Sequence, residues 1–171
     1  MAPNRAYPLF SIITIDTEAY AAFLEKPEYS DALGDLLQHT LEGNGFLFNS
    51  RYVIPQKIEE VRRTVLNGVY EDNSDLVTIL VSRGFPFQGA VLKSLSSLYD
   101  TPLTAFSTTL SALALQKLGV RESLVQASAG AIDNSLVICI PQDEPLLKLA
   151  LDEIILPHTT EILADLAERG T

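Results

Sequence analysis

The sequence predicts an α/β fold built on a mostly parallel sheet with one antiparallel hairpin, and three observations predict it. Leu9 to Ile15 and Asp75 to Leu80 are apolar, β-branched runs of strand length, the pattern of strands covered on both faces. Stripes of apolar residues at helical spacing separate the strand signals, and this alternation is the mark of a parallel sheet connected by helices. Two strand-like runs, Ser123 to Ile132 and Ser135 to Ile140, flank the polar pair Asp133-Asn134, which reads as a hairpin.

Taken in order, Leu9 to Ile15 is the first strand, and Glu18 to Tyr29 reads as a loop with a helical turn. Ser30 is a candidate N-cap for a helix carrying Leu33, Leu36, Leu37 and Leu41 on one stripe, closed by Gly43-Asn44-Gly45. Phe46 to Ile54 is a second strand. Pro55 then opens a helix lined by Ile58, Val61, Val65 and Leu66, with Gly68 or Glu71-Asp72-Asn73 as its stop. Asp75 to Leu80 forms the third strand, followed by the loop Phe85-Pro86-Phe87, a helix from Gln88 to Leu98 and another from Phe106 to Leu118, closed by Gly119. After the hairpin, a helix from Asp143 carries Leu146, Leu147, Ala150, Leu151 and Ile154 as far as Pro157, and Thr159 to Arg169 forms the last helix.

At 171 residues the chain is sized for a single domain spanning 1–171, with an ordinary 47% apolar and 20% charged residues. No apolar run reaches the length of a membrane helix. The segment from Tyr7 has little positive charge before it and Asp16 after it, so it reads as a buried strand, not a leader. A formal net charge of −10 argues against a nucleic-acid partner, because phosphates call for clustered Lys and Arg. The one cysteine, Cys139, lies in an apolar strand and reads as an inert buried thiol. Together these features point to a cytoplasmic protein without membrane or nucleic-acid partners.

The sharpest motif is the run from Asp75 into Val81-Ser82-Arg83-Gly84, a strand emptying into a small-residue turn and then a helix, where α/β proteins place ligands. With its closing Phe106, the run resembles the molybdopterin-binding fold of the MogA/MoaB proteins. In that family the turn reads Gly-Gly-Thr-Gly, and the four positions fall on Val81, Ser82, Arg83 and Gly84. Ile13-Thr14-Ile15-Asp16-Thr17 resembles the family's first strand and turn, Val53-Ile54-Pro55 its second strand end, Ala127-Ser128-Ala129-Gly130 its hairpin, Ile140-Pro141 the segment before Gly-Ser-Pro, and Ile155-Leu156-Pro157 the entry to its last helix. The resemblance runs from about Leu9 to Leu166. It implies a three-layer α/β sandwich and a homo-oligomer, a trimer or hexamer. The implied activity is transfer of an adenylyl group from ATP to molybdopterin with magnesium.

The departures fall on the ligand face. Val81 and Ser82 add side chains where glycine lets an anion approach the backbone. The family's Arg-Asp-Val-Thr-Pro-Glu positions carry Gln88-Gly89-Ala90-Val91-Leu92-Lys93, Pro55-Gln56-Lys57 stands for Pro-Asp-Asp, Val125-Gln126 for Ser-Arg, and Gln142-Asp143-Glu144 for Gly-Ser-Pro. Lost carboxylates remove oxygen ligands for magnesium. The reading is therefore a catalytically degenerate MogA/MoaB-like protein of the molybdenum cofactor pathway, with molybdopterin as the candidate ligand and without ATP or magnesium. Two rivals stand beside it: an adenylyltransferase with altered ligands such as Asp143 and Glu144, and a non-enzymatic scaffold or interaction module.

The candidate ligand-binding residues are Asp16, Thr17, Ser82, Arg83, Gly84, Gly130 and Asp143. No residue is assigned a catalytic role and none a metal. Arg83 is either an anion-binding guanidinium at a strand end or a surface arginine paired with an acid. Asp16 and Thr17 either touch ligand or cap a turn. Asp143 and Glu144 either bind a metal or complement a helix dipole. Phe85-Pro86-Phe87 either plugs the pocket, contacts another chain or packs in the core. His39 and His158 read as solvated or partner-facing.

Overall fold

The computed structural model describes residues 6–26, 28 and 31–169. Six strands form one sheet in the order β2-β1-β3-β6-β5-β4. β1 (Leu9–Ile15), β2 (Leu47–Ile54), β3 (Leu76–Val81) and β6 (Ser135–Pro141) run parallel, whereas β5 (Ser128–Ile132) runs antiparallel to both its neighbours, β6 and the short β4 (Thr101–Pro102).

Side chains alternate across the central strands and divide the core into two layers. Phe10, Ile12, Leu76, Leu80, Leu136, Ile138 and Ile140 face α2 (Ala32–Gly43), α5 (Ala105–Lys117), α7 (Glu144–Ala150) and α8 (Leu156–Arg169). Ile13, Ile15, Val77, Ile79, Val81, Val137 and Cys139 face α3 (Ile58–Tyr70) and α4 (Phe85–Leu98). The fold is thus the expected three-layer α/β sandwich, with β1, β3 and β6 buried on both faces as their apolar runs require.

Several boundaries differ from the sequence expectation. The segment read as a loop after β1 is a helix, α1 (Thr17–Glu25), because Asp16 accepts a hydrogen bond from the Ala19 amide at 3.0 Å and caps it. Helix α2 starts on Asp31, which accepts from the Gly34 amide at 3.0 Å and from the Thr14 hydroxyl; the expected cap, Ser30, lies outside the described residues. Helix α4 begins at Phe85 and not at Gln88, since Pro86 sits in a first turn that needs no donor from it. The stretch from Ser123 is not strand: a short helix, α6 (Val120–Ser123), precedes β5. Pro157 does not end a helix either. A π-helical turn over Leu151–Ile155 joins α7 to α8 and accommodates the missing proline donor.

Candidate functional site

A cavity of about 240 Å³ opens beyond the carboxyl ends of β3 and β6, between the start of α4, α6 and the start of α7. It is lined in part by Arg83, Gly84, Gln88, Gln126, Pro141 and Asp143. Open α/β sheets bind ligands at this edge because the strand ends and helix starts converge there.

Gly84 makes the turn possible. Its φ of 142° lies in a region that L side chains avoid, and it is the N-cap residue that precedes α4. Arg83 stands 58% exposed and donates to the Asp143 carboxylate at 2.8 Å and to the Gln142 carbonyl at 3.2 Å. Asp143 in turn accepts from the Leu146 amide at 3.1 Å and caps α7. One carboxylate therefore serves both a helix and an arginine across the mouth of the cavity. Glu144 pairs with Lys148 at 2.8 Å.

The remaining predicted site residues have other partners. Asp16 caps α1. Thr17 accepts from the Gln56 amide at 2.9 Å and holds the β2 end against α1. Ser82 is buried, its amide donating to the Ile15 carbonyl at 3.0 Å and its hydroxyl accepting from the Gln56 side chain. Gly130 is a packing position: a Cβ there would lie 2.3 Å from the Tyr99 ring. Tyr99 also hydrogen-bonds Ser128 at 2.8 Å, and burial raises its phenol above the ordinary range. Of the seven candidates, Arg83, Gly84 and Asp143 line the cavity. Phe87 packs against the α3/α4 core layer and leaves the cavity open. His39 is exposed. His158 is 3.7 Å from Glu161 on the last helix, away from the cavity.

Sequence reasoning did not place Gln88 and Gln126 in the site, although it marked both as departures from the family pattern. Gln88 is 5% exposed and donates from Nε2 to the Ser82 carbonyl at 3.2 Å. Gln126 Oε1 and Gln142 Nε2 are buried without a hydrogen-bond partner among the described residues. Arg121 and Glu122 of α6 complete the rim. Their signal was weak in sequence because α6 is a single turn, lying between the helix closed by Gly119 and the stretch read as strand from Ser123.

The donor set does not suit magnesium. Asp143 and Glu144 are each held by a cation, and among the described residues no group of three or more His, Cys, Asp or Glu could hold a metal. At the turn after β3 the Ser82 amide is committed to the Ile15 carbonyl of β1.

No family model matches the chain. Molybdenum cofactor biosynthesis protein B of Bacillus cereus is 24% identical over 142 residues, which cover 82% of this chain and 84% of that protein. Its namesake in Bacillus subtilis is 20% identical over 142 residues and the same shares of the two chains. Among solved structures, the tungsten cofactor synthesizing protein MoaB from Pyrococcus furiosus superposes with a TM-score of 0.81 at 21% identity, over 94% of this chain and 98% of that one. A molybdopterin biosynthesis protein from Mycobacterium abscessus gives 0.79 at 18% identity, over 96% and 99%. In sequence and in fold together, the chain is similar to the MogA/MoaB-type proteins.

Proposed function

We propose that the chain serves molybdenum cofactor biosynthesis as a small-molecule-binding member of the MogA/MoaB type that no longer transfers an adenylyl group. The relatives' names supply the pathway. One observation supports the loss of catalysis: Asp143, a carboxylate that lines the cavity, is tied through one oxygen to Arg83 and through the other to the start of α7, so its charge is already matched by a cation rather than offered to a metal–phosphate complex. The cavity itself persists at the usual edge of the sheet, which supports retained binding. Incubating the purified chain with molybdopterin, ATP and magnesium and following pyrophosphate should give no release above background. Sustained turnover would establish the rival, an adenylyltransferase with altered ligands.

A second reading, a scaffold that self-associates, is favoured by a patch at the end of α5 and around α6. Leu115, Leu118, Val120 and Leu124 are all exposed there, and residues 101–116 carry no charge in a chain of net charge −10. Such a patch suits contact with another chain. The two readings are compatible in a cytoplasmic homo-oligomer, trimeric or hexameric.

A further inference from the structure

We infer that the chain carries a second binding site, an apolar cavity between α5 and α8 that takes a small neutral hydrocarbon guest, a single ring or a short alkyl chain without a charged head. This cavity shares no lining residue with the one beyond β3 and β6, so the inference stands apart from the function proposed above.

The cavity measures about 230 Å³ and lies over β5 and the amino half of β6, on the sheet face that α5 and α8 cover. Its floor is Ala129, Leu136 and Ile138. The small side chain of Ala129 leaves depth there, and Ala105, exposed at the first turn of α5, leaves the mouth open. The π-helical turn brings Ile154 as well as Ile155 to the far wall, and α8 continues that wall one and two turns on through Thr159 and Ile162. Turns of this kind recur at functional sites.

The chemistry of the walls selects the guest. No lining residue carries a charge, and residues 101–116, which include the whole α5 side of the cavity, carry none either. The buried Thr159 hydroxyl donates to the Ile155 carbonyl at 2.6 Å and is spent on its own helix. At the mouth the Leu103 amide donates to the Ala129 carbonyl at 2.9 Å, and the Leu103 carbonyl accepts from the Phe106 amide at 3.0 Å. A water held in a cavity needs two to four polar partners, and these groups are already paired. Apolar walls without water forfeit dispersion contacts in proportion to the space left empty. A cavity of about 150 Å³ with such walls holds benzene, so this one has room for a ring bearing a short chain. A carboxylate or phosphate head would find no cation among the lining residues.

NMR of the full chain labelled at the isoleucine methyls tests the inference, with ethylbenzene and n-hexane as ring and chain probes and octanoate as the charged control. At least one neutral probe should give saturable shifts at Ile138, Ile154, Ile155 and Ile162, and none at Ile13, Ile15 and Ile79 of the opposite core layer; the tighter of the two names the shape of the guest. Octanoate should bind at least tenfold more weakly. Ala129→Leu, which fills the floor, and Ala105→Leu, which narrows the mouth from an exposed position, should each weaken binding at least tenfold, with a melting curve to show that the variant is folded. Shifts spread over both layers, octanoate binding as well as the neutral probes, or undiminished binding in the folded variants would overturn the inference. So would uptake seen only in monomers diluted out of an oligomer, a result that gives the cavity to a second copy of the chain.

Discussion

The two ends of the sheet treat polar groups in opposite ways. At the amino end of β1 and β3, Ser11 bonds Ser50 at 2.7 Å and also Ser74, while Ser50 and Tyr52 donate to one oxygen of Asp72 at 2.7 and 2.8 Å. Asn49 adds bonds to the Asp72 carbonyl at 2.7 Å and to Ser74 at 2.9 Å, and the Leu9 amide reaches Asp75 at 2.8 Å. At the carboxyl end, Gln126 Oε1 and Gln142 Nε2 are buried without partners among the described residues. A closed network holds strands together and asks nothing of a ligand. An open one gives up stability locally and leaves groups free for recognition.

Alkali gives the largest expected effect on that contrast. Burial pushes the Cys139 thiol from 9.0 up to about 12, and burial followed by the hydrogen bond to Asp72 raises the Tyr52 phenol. Both groups keep protons in the folded chain that the unfolded chain has lost, so stability is fully present below about pH 9 and falls as the pH climbs through the folded values. At pH 11 the loss from the thiol alone is about 3 kcal/mol, at roughly 1.4 kcal/mol per unit. Urea midpoints between pH 8 and 11 should trace this fall. Cys139→Ala should flatten most of it and Tyr52→Phe a further part, the part that belongs to the amino-end network. A limb unchanged in both variants would deny that either group carries it.

Two aspartates, one at each end, make the next comparison. Asp72→Ala removes the acceptor shared by the Ser50 and Tyr52 hydroxyls, leaving Ser50 only its bond to Ser11, and the expected loss is about 2 kcal/mol. Asp143→Ala removes a helix cap and an ion pair whose arginine is largely exposed, and the expected loss is about 1 kcal/mol, nearly all from the cap. Chemical denaturation of the two variants measures the gap. Equal losses would erase the distinction between a closed and an open end.

How much of this was legible depended on whether the signal was local. The strands Leu9–Ile15, Leu76–Val81 and Ser135–Pro141 were readable because burial on both faces demands uninterrupted apolar residues. Helix α1 was missed because Glu18 to Tyr29 has no clean apolar stripe and only Ala19 of the helix is buried; the Asp16 cap decides it. Helix α6 and β4 are too short to leave a period. In the site, Arg83, Gly84 and Asp143 announced themselves as a charged turn after a strand and a charged helix start. Gln88 and Gln126 did not, because a glutamine shows its function only through which of its amide atoms is already taken, and the Ser82 carbonyl that takes Gln88 Nε2 does so through backbone geometry.

The smallest expected effect on stability is the most discriminating. Gln126→Leu replaces a buried amide oxygen that has no donor with an aliphatic chain of similar size. Removing an unsatisfied polar atom relieves its desolvation penalty while keeping the packing, so the expected change is between zero and a gain of about 1 kcal/mol. A substitution at an ordinary half-buried polar position is instead expected to destabilise. If Gln126 belonged to a closed network like that around Asp72, its loss would lower the unfolding midpoint as Asp72→Ala does. A midpoint that holds or rises separates a residue kept for the cavity from one kept for the fold.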